Sequence, residues 1–356
     1  MRLILLLTAL LMYLSAQFNP IHSQETLPYK ISGYLFGDYF YKVQGDSSGS
    51  TGEYSPYKKD YQAFDIRRVT FSYEHSLSYK FTAGISLEGG NKFLNSGRFT
   101  VILKTAYVEW KDIFEGSNLL VGYFATPAYV WGISEKMWGY RSVEKTISDF
   151  RGLTTGVDLG IGLRGSFDKK KDYGYFVMIG NGTGTKPENN KYKNYFASVN
   201  AKVIDYLNVE AFTEYEPAAE DKGKLTLKGI IAYQKPDFTI GTEVVSQVRK
   251  NSGLNNSDMS IFGISFYAYG AVIKDKINKI PKLNAFARFD MFDPDTKQEL
   301  TGYKENFITA GLDYMPIPSV HFMPNIWINS YKDKSSANLK KDSDIAARLT
   351  FFYIYK

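Results

Sequence analysis

Alternation with a period of two runs through almost the whole of this chain, and it limits the available folds more than any other feature. Successive side chains of a strand point to opposite faces. In residues 156–167 Val157, Leu159, Ile161 and Leu163 fall on one face, and Asp158, Gly160, Gly162, Arg164 and Ser166 on the other. Phe81, Ala83, Ile85 and Leu87 alternate with Thr82, Gly84, Ser86 and Glu88 in the same way, as do Leu283, Ala285, Ala287 and Phe289 with Asn284, Arg288 and Asp290. About sixteen such segments can be placed: 30–43, 61–77, 79–90, 100–112, 118–126, 156–167, 173–182, 193–203, 206–216, 225–234, 237–248, 259–272, 282–293, 305–315, 319–332 and 344–355. Most are long enough for a tilted membrane strand of about nine to eleven residues. Strands of soluble sheets usually stop at about five or six.

The connectors carry a second signal, because they alternate between long and short. Long ones are expected at 44–60, 91–99, 127–155, 183–192, 217–224, 249–258, 294–304 and 333–343, and short ones between the remaining neighbours. Barrels of outer membranes have short turns at one end and long loops at the other. Hydrocarbon offers no partner to a backbone N–H or C=O, so strands can cross it only when the sheet closes on itself. The expected fold is therefore all-β: a transmembrane antiparallel barrel of about 16 strands, spanning residues 24–356 as one domain. Tyrosines near segment ends, such as Tyr73, Tyr173, Tyr267 and Tyr353, suit an interfacial aromatic girdle. Two places strain the scheme. Pro324 lies inside the fifteenth segment, and Tyr34 to Tyr41 is aromatic on both faces, which leaves the first register undetermined.

Composition narrows the function classes. Aromatic residues reach 16% while mean hydropathy is −0.28, which suits half-apolar strands and excludes a bundle of membrane helices. The absence of cysteine excludes disulfides, thiol catalysis and a lipid-modified cysteine. The net charge of +6 is spread over turns and loops, so nucleic acid is not an expected partner. Arg2 followed by the apolar run Leu3 to Leu14 reads as a secretory leader within 1–23, cut after Ala16 or Ser23. Twelve apolar residues are too few for a membrane helix, which needs about twenty.

Phe64-Asp65-Ile66-Arg67-Arg68 opens the second segment. Lys104-Thr105-Ala106-Tyr107-Val108-Glu109-Trp110 and the run Leu119 to Pro127 follow, and Asp158-Leu159-Gly160 leads to Leu163-Arg164-Gly165. Over about residues 60–167 this series resembles the phosphate-selective porin O and P family of Gram-negative outer membranes. The closing segment, Arg348 to Tyr355, is similar to the aromatic last strand of such barrels, although the chain ends on Lys356. The resemblance implies a water-filled channel of sixteen strands, usually trimeric, whose third external loop folds into the lumen. Here the third long connector, 127–155, is also the longest.

Parity assigns eight basic residues to the lumen: Lys42, Arg68, Lys80, Arg164, Lys202, Lys228, Arg288 and Arg348. It assigns ten acidic ones: Asp38, Glu74, Glu88, Glu109, Asp158, Glu210, Glu214, Glu243, Asp290 and Asp313. Rings of Lys or Arg select anions and rings of Asp or Glu select cations. This balance does not extend the family's phosphate specificity to this chain. Within 127–155, Arg141, Lys145 and Arg151, with Glu135 and Lys136, are the candidates for a pore constriction; Trp131 and Trp138 are expected to pack the loop to the wall. His22, His75 and His321 are far apart, and no triad, paired-carboxylate or metal-ligand spacing stands out. The expected function is a porin, without a cofactor or catalytic chemistry. It would pass small hydrophilic solutes or ions, oxyanions such as phosphate among them, through an outer membrane of lipid and lipopolysaccharide. The alternatives are a barrel enzyme of the lipase or protease kind, for which histidine is scarce, and a secreted all-β binding protein.

Overall fold

The computed structural model describes residues 28–45, 53–275, 281–297, 302–335 and 341–355. The expected leader and most of the Ser/Gly-rich run 45–52 lie outside the described residues. Sixteen antiparallel strands close into one barrel. They are β1 (Tyr29–Gln44), β2 (Gln62–Ser76), β3 (Phe81–Asn95), β4 (Arg98–Phe114), β5 (Ser117–Ala125), β6 (Val157–Ser166), β7 (Tyr173–Gly180) and β8 (Asn194–Ile204). They continue with β9 (Leu207–Pro217), β10 (Gly223–Lys235), β11 (Phe238–Lys250), β12 (Met259–Lys274), β13 (Pro281–Asp293), β14 (Tyr303–Ile317), β15 (Val320–Asp333) and β16 (Asp344–Tyr355). Each strand pairs with its sequence neighbours, and β1 closes on β16 from Gly33 opposite Tyr355 to Gln44 opposite Ile345. No edge is left to pair with another chain.

The barrel is built inside out relative to a soluble one. Phe71, Val121, Ile161, Leu227, Ile308 and Leu349 are exposed, whereas Asp38, Lys42, Glu243, Arg288 and Asp290 are buried within. An apolar belt around the whole exterior of a closed sheet requires hydrocarbon around it, and this places the barrel in a membrane. Among the described residues no helix is long and apolar enough to cross one.

Four local features depart from simple alternation. The expected long connector at 91–99 is a tight turn instead. β3 and β4 extend to Ser96 and Gly97, whose φ values of 51° and 74° suit a hairpin between right-twisted strands. In the β1–β2 ladder Phe36 faces Arg68 but Gly37 faces Ile66, so Arg67 is an extra, bulged residue. Gly37 is required there, because a Cβ would lie 2.2 Å from the Asp65 carbonyl oxygen. In the β3–β4 ladder Ser86 faces Thr105 but Leu87 faces Leu103, which makes Lys104 the extra residue. Pro324 is accommodated in β15 by a gap in the ladder to β14. Gly311 still faces Asn325, and pairing resumes at Tyr314 with Phe322.

Candidate functional site

The connector between β5 and β6 is held at its neck by its own backbone. Thr126 N–H donates to the Gly156 carbonyl at 3.1 Å, and Tyr129 Oη–H to that of Thr154 at 3.0 Å. Beyond the neck come two short helices, α1 (Ser134–Trp138) and α2 (Ile147–Phe150). Gly139 ends α1 in the left-handed region, φ 73°, with its N–H on the Glu135 carbonyl.

This connector begins against β5–β9, where Ala128 and Tyr129 pack with Phe124, Phe176 and Phe212, and its greater part lies on the inward face of β9–β16. Met137, Trp138, Tyr140 and Val143 pack with Ile230, Tyr267, Phe286 and Met323. Ile147 and Leu153 pack with Val245, Ile261 and Phe292. Polar wall groups meet the loop's own backbone. Glu210 accepts from Ile133 N–H at 2.8 Å, and Lys228, paired with Glu210 at 3.0 Å, donates to the Ala128 carbonyl and Ser134 Oγ. Glu243 accepts from Ser148 Oγ–H at 2.6 Å, and Trp327 Nε1–H donates to Glu144 at 2.8 Å. Arg288, paired with Asp290, donates to the Lys145 carbonyl. Charged groups under the loop are thus used to satisfy it.

The opposite wall, β1–β4, is open toward the short-turn end, while at the long-loop end Arg67 of β2 meets the loop's Ser142 and Val143 carbonyls. Between it and the loop lies a void of about 560 Å³, lined by residues from Lys30 and Glu74 near the short-turn end to Val157 and Gly184 near the long-loop end. Three carboxylates in and beside it each bridge two cations. Glu88 lies 3.2 Å from both Arg68 and Lys104. Asp149 lies 3.6 Å from Arg141 and 3.5 Å from Lys145. Glu53 accepts from Arg67 Nε–H at 2.6 Å and lies 3.4 Å from Lys92. Each group of three carries one net positive charge, and Glu135, 3.3 Å from Arg141, and Asp38, 3.4 Å from Arg67, offset part of it. The Glu88 and Glu53 side chains are 4% and 10% exposed, while their partners Lys104 and Lys92, which line the void, stand at 27% and 49%. Burial alone would raise the Asp149 carboxyl, but Lys145 and Arg141 outweigh it and hold it below the usual range. Burial, partly offset by Asp149, lowers the Lys145 ammonium.

The residues singled out from sequence separate into two groups. Lys145, Glu135 and Arg68 line the void, and Arg141 sits behind Glu135 and Asp149. Arg164 is beside it, with its guanidinium 4.2 Å from the Trp131 ring centre and bonded to Glu109 at 2.8 Å. The others are placed elsewhere. Arg151 is buried against Glu305 at 2.6 Å, so it pins the loop instead of facing solvent. Lys136 is exposed but outside the lining. Lys228, Arg288 and Arg348 lie beneath the loop, because docking leaves its carbonyls in need of donors. Lys202 sits by the turn, paired with Asp205 at 3.0 Å, and Asp158 accepts from Leu159 N–H at 3.0 Å and from Gly182 N–H at 2.6 Å. Parity missed Arg67 and Lys104, since each occupies a bulge. Two arginines in succession were the available signal for the first: one of them would otherwise face lipid, at about 2–4 kcal/mol near the midplane.

Comparison with known proteins supports the architecture. No protein-family model and no curated protein matches the chain. Solved structures do match along its length. The outer membrane channel DcaP of Acinetobacter baumannii aligns with a TM-score of 0.66 at 11% identity, over 95% of this chain and 100% of that one. An anion-selective porin from Comamonas acidovorans aligns with a TM-score of 0.64 at 11% identity, over 92% and 99%. The trimer form of OmpT, an outer membrane protein of Vibrio cholerae, gives 0.58 at 12% identity, over 93% and 100%. At such identities the likeness is one of fold, the fold of outer-membrane porins.

Proposed function

We propose that this chain is an outer-membrane porin that lets small hydrophilic solutes and ions diffuse through a passage narrowed by the connector between β5 and β6. One observation carries this reading: the greater part of the connector docks on β9–β16 and leaves a space with a charged lining against β1–β4. Diffusion through it needs no chemical turnover. Passage is governed by size and by the field of the lining charges. Cations in the three bridged groups outnumber their carboxylates and include the most exposed side chains of the Glu88 and Glu53 groups, which supports a weak preference for anions. Oxyanions such as phosphate fall within that class, but the mixed lining carries no site particular to phosphate. A bilayer with lipopolysaccharide is the surrounding medium this reading implies. The trimer form of the OmpT structure supports a homotrimer.

The test is the reversal potential of the reconstituted protein in a salt gradient across a planar bilayer. A weakly anion-selective current is expected. Lys104→Gln should lower the anion-to-cation permeability ratio about twofold, since one lining charge is lost. Absence of any current from folded protein would overturn the porin reading, and a strong cation preference would overturn the anion preference alone.

A further inference from the structure

Arg67 is not among the residues lining the void, yet Glu53, Asp38, the Phe36 ring and two loop carbonyls converge on it. The bulge opposite Gly37 turns it inward beside Arg68. It is 6% exposed, with its guanidinium 5.4 Å from the Phe36 ring centre. Nε–H donates to Glu53 at 2.6 Å and lies 3.4 Å from Asp38, and Nη2 also pairs with Glu53. Nη1–H donates to the carbonyls of Ser142 at 2.7 Å and Val143 at 3.1 Å. Glu53 belongs to the connector between β1 and β2, and Ser142 and Val143 to the one between β5 and β6. One planar fork of donors therefore joins two loops that are otherwise distant in sequence. A second guanidinium, Arg348 of β16, repeats the pattern: it donates at 3.1 Å to Tyr54 Oη of the first connector and at 3.1 Å to the Val143 carbonyl of the third.

We propose that Arg67 is a positioning residue that ties the first connector to the third, so that the two loops set the width and charge of the passage as one unit. This rests on the channel reading above. The consequence for the lining is direct. Glu53, held by Arg67, is the partner of Lys92, and Lys92 faces the void. Val143, held by Arg67 and Arg348, lies between Arg141 and Lys145, whose charged ends meet on Asp149. Releasing Arg67 loosens both cationic groups, with Arg348 as the remaining tie, and removes no charge that lines the void.

Single-channel recordings of Arg67→Gln, Arg67→Lys, Glu53→Gln and the Arg67→Gln/Glu53→Gln double variant test the proposal, with heat-modifiable gel migration confirming a folded barrel. Arg67→Gln should raise mean conductance about twofold and add fast current noise, because a loosened loop widens the passage. Glu53→Gln should do the same, the double variant should go no further, and Arg67→Lys, which keeps the charge but not the fork, should fall between. If Arg67→Gln fails to assemble, Glu53→Gln and Arg67→Lys still decide the matter. Glu53→Gln with the conductance and noise of the unmodified protein would overturn the coupling of the two loops. Additive effects in the double variant would overturn it too. A folded but silent unmodified protein would instead sink the channel reading on which it rests.

Discussion

At the scale of single residues, the decisive fact is that charge inside this barrel is paired according to what lies above it. Under the docked loop, Lys228, Arg288 and Arg348 satisfy backbone carbonyls; beside the void, Arg68, Lys104 and Lys145 share carboxylates and keep donors toward water. The loop carboxylates respond to pH accordingly. Burial works to raise Glu53, but Arg67 and Lys92 pull it well below the ordinary value of 4.5; Lys145 and Arg141 overcome burial likewise at Asp149, below 3.8. A carboxylate whose folded pKa is depressed adds stability that is fully present above its unfolded value and lost as pH falls through the folded one. The loops should therefore stay docked, with quiet single-channel current, as pH falls from neutrality past 4.5, and loosen only below the ordinary carboxylate range. Current noise that begins at or above pH 4.5 would contradict this assignment of partners.

At the scale of elements, the connector between β5 and β6 behaves as a small domain folded against the wall. Trp138 is its anchor: 1% exposed, packed edge-on to Tyr267 at 5.7 Å, and donating from Nε1–H to the Glu144 carbonyl at 2.8 Å. Truncating a buried aromatic to alanine costs about 3–5 kcal/mol, which here falls on loop docking instead of on the barrel ladder. Trp138→Ala should give a barrel of unchanged heat-modifiability with larger, noisier conductance; unaltered current would mean the loop is held by other contacts. Most of the strand framework was legible in the alternation, because a two-faced wall between lipid and water imposes it directly. The bulges were legible only in hindsight. Apolar positions 101 and 103 give way to 106 and 108 across Lys104, a change of parity that marks one inserted residue. The hairpin at Ser96-Gly97 was hidden by charged strand ends that extend beyond the membrane and read as loop. The side of the lumen on which the loop docks was not legible at all. It depends on inward apolar residues, Ile230, Val245, Phe286 and Met323, that come from four different strands.

At the scale of the whole molecule, a continuous outer belt and a filled inner half divide the work. The belt holds the barrel in the membrane, while the loop and the β9–β16 wall form the core that a soluble protein would place at its centre. A charge on the belt is expected to be expensive. Leu227→Arg, at an outward position of β10 that is 52% exposed, should destabilise the folded barrel by about 2–4 kcal/mol in a lipid refolding titration if it lies near the midplane. Wild-type stability there would place β10 outside hydrocarbon. The most direct measurement of the central claim is the single-channel conductance of a variant lacking residues 134–148, which comprise α1 and the start of α2, beside that of the intact chain. If this segment occupies half of a conducting lumen, its removal from a correctly folded barrel should raise conductance about severalfold. An unchanged conductance would show that the connector does not narrow the path that ions take.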